Sequence, residues 1–248
     1  MRKSGARGVA LGLSGGVDSA VAGALCVKAL GKGSVTAVTM PSRTTPKDDV
    51  NDARSLIRMW GVDSLNVPIS PLVEELQRAA GFRAVRVAMA NVQARARMTV
   101  LYFVANANDL LVVGTGDRSE ITLGYFTKFG DGGADLLPIA HLYKTQVRLL
   151  ARALGIPPRV ANKPSSPRLW QGHLAEQELP AGYEKLDLVM SALSDLGLSK
   201  GEAAEVAGVP AKVVSKVLEM NKRSAHKRAM PRSLAGPDDF SFHSYQRF

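Results

Sequence analysis

The chain has 248 residues, 46% of them hydrophobic, which fits one large domain or one domain with a small appendage around a substantial core. A single cysteine, Cys26, excludes an internal disulfide and a cysteine-rich metal site, and apolar runs no longer than a strand exclude a membrane span. The net charge of +10 suits polyanionic small molecules or nucleic acid without choosing between them; with no signal-peptide apolar region after the first residues, a cytoplasmic protein is expected.

An apolar run at 9–13 reads as a buried strand, and it stops at Ser14-Gly15-Gly16-Val17-Asp18-Ser19, where a helical pattern reaching residue 30 begins. Two glycines permit backbone conformations and approach distances that a side chain forbids, and the N–H groups opening the helix can then face an anion. A plain turn with a helix cap is the bland alternative; the preceding strand favours a phosphate cradle. No lysine follows the glycines, so this is not the Gly-x4-Gly-Lys-Ser/Thr loop, and an acid beside phosphates suggests Mg²⁺ held by Asp18. Cys26, in the helix after the loop, reads as a buried small hydrophobe.

Further apolar stretches at 35–39, 65–67 and 110–113 alternate with helical patterns at 48–60, 73–80 and 84–107. This is an α/β order, with a mostly parallel sheet flanked by helices. Ligands lie at the carboxyl ends of such strands, so the turns after Leu13, Thr39 and Val113 are expected to face one crevice. They are the glycine loop, Met40-Pro41-Ser42-Arg43 and Gly114-Thr115-Gly116-Asp117. Arg78, Arg83, Arg86, Arg95 and Arg97 sit on or before the last of these helices, as a solvated or a binding surface. From residue 142 the pattern turns helical, over 144–154, until Gly155-Ile156-Pro157-Pro158 stops it. A loop at 163–179 and three short helical patterns at 183–196, 200–206 and 211–220 follow. Lys222, Arg223, His226, Lys227, Arg228 and Arg232 then crowd the end.

Ser14-Gly15-Gly16-Val17-Asp18-Ser19 resembles the signature loop of the ATP pyrophosphatases, which cleave ATP to AMP and pyrophosphate to activate an oxygen for amination or thiolation. The segments Val113 to Glu120, Leu123 to Asp135, Leu142-Tyr143-Lys144-Thr145-Gln146-Val147, Lys163-Pro164-Ser165-Ser166, Leu169-Trp170, Tyr183 and His226-Lys227-Arg228 resemble NAD synthetases of the ammonia-dependent kind. The resemblance implies a Rossmann-like ATP pyrophosphatase fold, with 1–160 as the nucleotide-binding core and 161–248 as a loop and helical portion of the same NAD synthetase domain. It also implies the reaction: adenylation of the nicotinate carboxylate of deamido-NAD by ATP, then attack by ammonia.

Carried onto this chain, the resemblance gives Asp18 and Glu120 as Mg²⁺ ligands and catalytic residues, at the ends of two strands and able to converge on one ion. By the same resemblance Ser14, Gly15, Gly16, Val17, Asp18 and Ser19 are expected to bind ATP, with Ser14, Gly15, Gly16 and Ser19 on its pyrophosphate half, and Thr115, Lys144 and Ser166 to supply the remaining ATP contacts. Lys144 is expected as a mobile point charge on the phosphates. Arg95, Lys128, Asp135, His226 and Lys227 match deamido-NAD contacts, where two phosphates and a carboxylate call for several cations. Asp131, flanked by glycines that suggest a lid, could orient ammonium or take a proton, or could belong to a simple turn. Relatives are homodimers with deamido-NAD near the subunit interface. Neither the length nor the lone Cys26 leaves room for a glutaminase nucleophile and domain, so free ammonia is the expected nitrogen source.

The stretch 171–180 departs from the family, which usually carries a polar Thr/Ser-Asp-Glu cluster near His173 to Glu176. Arg168 stands where glycine is common, and little precedes the first strand. Two rival functions remain. A tRNA-thiolating or related RNA-modifying enzyme would share the first loop, though one helical cysteine is too few for sulfur transfer. The segment 202–215 scans like a DNA-binding helix-turn-helix, which ordinary helix packing also produces.

Overall fold

Strand β1 (Gly8–Gly12) and its neighbours β2 (Val35–Thr39) and β4 (Leu110–Val113) correspond to three of the four apolar stretches, and β3 (Asp63–Asn66), which overlaps the fourth, completes a four-stranded parallel sheet in the order β3-β2-β1-β4. These features come from a computed structural model that describes residues 4–229 except 83, 167, 169, 171 and 173. Arg83, Leu169, Gln171, His173 and Arg232, singled out above, therefore lie outside the described residues.

Successive strand residues point to opposite faces, and both faces of this sheet are covered. Val9 and Leu11 of β1 pack toward α1 (Val17–Leu30), α2 (Lys47–Trp60), α6 (Lys144–Ala153) and α7 (Pro158–Ala161). Ala10, Val38 and Val112 face the opposite way, toward α3 (Ser70–Ala80) and α4 (Arg86–Ala107). Leu11 is fully buried, and truncating such a leucine to alanine costs about 2–5 kcal/mol. Register places Leu11 opposite both Ala37 and Val113, so the turns leaving β1, β2 and β4 emerge at one end of the sheet.

A second apolar cluster, built on Leu186, Val189, Met190 and Val214, unites α8 (Tyr183–Ser194), α9 (Lys200–Ala207) and α10 (Ala211–Arg223). It includes Leu123 of α5 (Arg118–Leu123) and Tyr143, which precedes α6. The segment that scanned as a helix-turn-helix buries Ala203, Ala207, Val213 and Val214 in this cluster. Among the described residues no helix is long and apolar enough to cross a membrane.

Some elements differ from the sequence-based expectation, among them the short helix α7, which forms where the sequence reads as a helix stop. The third strand begins two residues earlier than the apolar signal, and all four of its residues are exposed at the sheet edge, where pairing rather than burial defines the strand. The helix α5 was not anticipated, because six residues are too few to display a helical period.

Candidate active site

Strand order reverses at β1: the chain proceeds outward to β2 and β3, then returns across the sheet to place β4 on the other side of β1. Loops diverge at such a switch point and leave a crevice at the carboxyl ends. Here a cavity of about 430 Å³ opens between the loop after β1, the turns after β2 and β4, the inner face of α4, and residues 163–166, 168 and 170.

The β1 loop is held from behind. Gly15 adopts φ 80°, and a Cβ there would stand 2.1 Å from the Asp49 carbonyl oxygen, so only glycine permits the loop to lie against α2. Lys163 Nζ donates to the Gly15 carbonyl (2.8 Å) and pairs with Asp49 (2.9 Å) and Asp52 (2.6 Å); Arg159 and Arg168 add further ion pairs to Asp52 and Asp49. Ser19 Oγ lies 3.0 Å from Ser14 Oγ and donates to the Gly16 carbonyl (3.1 Å), which ties the two ends of the loop together. The Ncap residue of α1, Gly16, offers no capping side chain. The first-turn N–H groups of α1 are left facing the cavity, where an anion is their natural partner.

Beneath the loop, Lys144 is fully buried at the start of α6. Its Nζ lies 2.7 Å from Asp18 Oδ1, 3.0 Å from Asp117 Oδ2 and 3.0 Å from Glu120 Oε1. Burial alone would depress the ammonium, but the three carboxylates reverse this and hold its pKa well above the ordinary lysine value. Burial pushes Asp117 up to about 6 and Glu120 well above the carboxylate range, with Lys144 opposing both shifts. Asp117 and Glu120 also form the capping box of α5: Asp117 Oδ1 accepts the Glu120 N–H (2.8 Å), and Glu120 Oε2 accepts the Asp117 N–H (3.4 Å). Asp187 of α8 supports the arrangement, taking the Ser119 hydroxyl and the Thr145 N–H (2.8 Å), while Ser119 Oγ accepts the Lys144 N–H (2.9 Å). Lys144 is thus clamped, which corrects the expectation of a mobile charge: a side chain without solvent exposure and with three anionic partners has no freedom to swing.

Asp18 and Glu120, expected from the sequence as Mg²⁺ ligands, stand together at the cavity. Each side chain is 22% exposed and lines the cavity, and each places one oxygen on the same Nζ, so the two sit within reach of one ion. Among the described residues no group of three or more His, Cys, Asp or Glu is arranged to hold a metal. Two hard carboxylates facing a phosphate cradle nevertheless fit Mg²⁺, which commonly takes one or two protein carboxylates and completes its shell with phosphate oxygens and water.

The other sequence-predicted residues divide. Ser14, Gly16, Val17, Asp18, Ser19, Thr115, Glu120 and Ser166 line the cavity, as do Asp131 and Lys227. Asp131 Oδ1 accepts the Thr127 N–H (2.9 Å), and Lys227 Nζ donates to the carbonyls of Gly124 (2.7 Å) and Phe126 (2.6 Å). Arg95, Lys128, Asp135 and His226 lie outside the cavity lining. Arg95 donates to the Lys128 carbonyl (3.2 Å), and Lys128 Nζ donates to the His226 carbonyl (2.5 Å). Asp135 takes the Tyr102 hydroxyl (3.0 Å) and the Val112 N–H (2.7 Å). Sequence reasoning gave no role to Asp117, Lys163, Asp187 or Arg97. The Asp-x-x-Glu spacing of a capping box was the readable signal for Asp117; the others are assembled only by tertiary contact.

A family model described as NAD synthase matches residues 1–231. Over 232 residues the chain is 51% identical to the NH(3)-dependent NAD(+) synthetase of Hyperthermus butylicus, covering 93% of this chain and 84% of that protein. Among solved structures, the NMN synthetase from Francisella tularensis superposes with a TM-score of 0.84 at 35% identity, covering 95% of this chain and 92% of that one. The NH3-dependent NAD synthetase from Campylobacter jejuni, in complex with the nitrate ion, gives a TM-score of 0.78 at 26% identity, covering 94% and 92%. The architecture is accordingly the Rossmann-like ATP pyrophosphatase fold.

Proposed function

The chain belongs to the NAD synthase family of ammonia-dependent, ATP-using ligases, and from that membership we propose that it adenylates the nicotinate carboxylate of deamido-NAD and then replaces AMP with ammonia, releasing NAD, AMP and pyrophosphate. The observation that carries this reading is one cavity in which the uncapped start of α1 faces the Asp18–Glu120 pair above a buried lysine.

The Ser14–Ser19 loop would receive the β- and γ-phosphates through the free N–H groups of α1 and the two serine hydroxyls, with Thr115 and Ser166 contacting the rest of ATP. Mg²⁺, held by Asp18 and Glu120, would neutralise charge on the departing pyrophosphate. Lys144 fixes the spacing of Asp18, Asp117 and Glu120 and adds a full positive charge below the phosphates. Asp131, which lines the cavity and is exposed, would orient ammonium and take the proton released when ammonia adds. Free ammonia rather than glutamine is the donor: burial pushes the Cys26 thiol up to about 11, which leaves it unfit as a glutaminase nucleophile.

We also propose a homodimer. The α3–α4 side exposes Leu72, Leu76, Phe82, Val85, Val87 and Phe103, the kind of apolar face that a second copy covers. Pairing there would bring deamido-NAD toward Arg95, Lys128, Asp135 and His226, which the cavity of one chain does not reach. A second reading is favoured by the likeness to an NMN synthetase: the acid amidated would be the mononucleotide, whose smaller body needs fewer contacts outside the cavity.

The deciding experiment supplies purified protein with ATP, Mg²⁺, ammonium or glutamine, and either deamido-NAD or nicotinate mononucleotide, counting amide product, AMP and pyrophosphate. NAD from ammonium alone, matched by AMP and pyrophosphate and lost in Asp18→Ala, is expected. A higher kcat/KM for the mononucleotide would establish the second reading, and no amide from either acid would overturn both.

A further inference from the structure

Among the described residues four cationic side chains line the cavity, and three are already engaged. Lys163 is spent on Asp49, Asp52 and the Gly15 carbonyl, Arg168 pairs with Asp49, and Lys227 donates to two carbonyls. The fourth is Arg97. Its Nε donates to the Met40 carbonyl (3.2 Å), at the turn leaving β2, which anchors one edge of the guanidinium. Its two terminal nitrogens have no hydrogen-bond or ion-pair partner among the described residues. Two residues along a helix turn the side chain by about 200°, so Arg97 faces the cavity with Ala94, Met98 and Leu101 while Arg95 faces away.

Across from Arg97 lies Asp131, close enough for mutual attraction and beyond ion-pair distance. The turn carrying Asp131 can approach α4 because its flanks are glycines: a Cβ on Gly130 would stand 3.0 Å from Ala94 Cβ, and one on Gly133 would stand 3.1 Å from Met98 Cγ. Burial lowers the Arg97 pKa to about 10, so it remains a cation at neutral pH. A fixed fork with two open N–H edges suits a carboxylate or a phosphoryl group, each of which offers paired oxygens.

The geometry points to Arg97 as an oxyanion-binding residue of the amidation, gripping either the carboxylate of the acid substrate or the α-phosphoryl group to which that carboxylate becomes joined. This inference rests on the reaction proposed above. In the second half-reaction the ammonia nitrogen bonds to the carbonyl carbon of the adenylate, the bond from that carbon to the bridging oxygen breaks, and its electron pair leaves on AMP. The surplus proton passes to Asp131. Arg97 holds the oxyanion side of the reacting group while Asp131 faces the cationic side.

The test compares wild type with Arg97→Gln and Arg97→Lys, measuring kcat and the separate KM values for ATP, deamido-NAD and ammonium, with thermal melting as a check on folding. Loss of one donor edge at a developing oxyanion lowers the rate by about 10²–10³-fold, and a fall of that order in kcat/KM is expected for R97Q. R97K, which keeps the charge without the fork, is expected between R97Q and wild type, with the KM for ammonium unchanged in both. A KM rise confined to deamido-NAD assigns the carboxylate, and one confined to ATP assigns the phosphoryl group. If kcat/KM for both substrates stays within about threefold of wild type, the inference is overturned. Should R97Q melt early, R97K is judged by the same limit. Wild type that forms no NAD fails the reaction itself, whereas an active wild type with an indifferent variant fails Arg97 alone.

Discussion

Two helices start at the same end of the sheet, each directly after a strand, and they start in opposite ways. Helix α1 follows β1 with glycine at its Ncap and no side chain on its orphan N–H groups; α5 follows β4 with a complete capping box from Asp117 and Glu120. Where backbone donors are wanted for a ligand, the chain withholds a cap. Where carboxylates must keep a fixed position around Lys144, it uses those carboxylates as the cap, so a local helix signal and a site geometry are fulfilled by the same atoms.

The contrast is broken most severely at the lysine that joins both helix starts. Lys144→Met leaves Asp18, Asp117 and Glu120 crowded without their cation, and removing one partner of a buried ionic cluster typically costs about 3–5 kcal/mol. NAD formation is expected to fall by at least about 10²-fold, and the urea midpoint should drop with it. Retention of both would mean that the two helix starts are independent. A smaller effect is expected from Gly15→Ala, which disturbs the open start alone. A residue forced to hold φ 80° with its Cβ against the Asp49 carbonyl costs about 1–3 kcal/mol, and the KM for ATP should rise while the KM for ammonium does not. The smallest effect is reserved for a capping box remote from the site, that of α9, where Ser199 and Glu202 exchange bonds of 2.8 and 3.3 Å. Ser199→Ala should cost about 1 kcal/mol with kcat/KM unchanged, whereas Asp117→Ala, which removes a cap and a buried partner of Lys144 together, should cost more and lose activity. Equal kinetic effects would reduce the α5 box to ordinary capping.

The strands and long helices were legible because burial on both faces of a parallel sheet writes continuous apolar runs, and amphipathic helices write a period. The Ser14–Ser19 loop was legible because its chemistry is contiguous. What escaped was too short or too weakly patterned: α5, and the start of the exposed edge strand β3, where no apolar pattern is required. Asp117 was visible as part of a motif, yet its contact with Lys144 joins positions 27 residues apart and becomes evident only once α5 and α6 are packed. Of the dinucleotide contacts transferred by resemblance, Lys227 lines the cavity while Arg95, Lys128, Asp135 and His226 lie outside it, since a resemblance transfers residues without transferring their surroundings. Arg95 and Arg97 illustrate the point: both stood in one basic group, and only the turn of α4 separates the one facing the cavity from the one facing away.

The hydrogen bonds of Asp187 carry a consequence for biosynthesis. A nascent chain that has emerged only as far as α7 already possesses the phosphate loop, the carboxylates and Lys144, but not the α8 carboxylate that takes the Ser119 hydroxyl and the Thr145 N–H. It also lacks Lys227, which ties down the carbonyls of Gly124 and Phe126. The half-made protein on the ribosome therefore holds Asp18, Asp117, Glu120 and Lys144 without the braces that align them, and the cluster is expected to reach its final geometry only after the last helices have folded back.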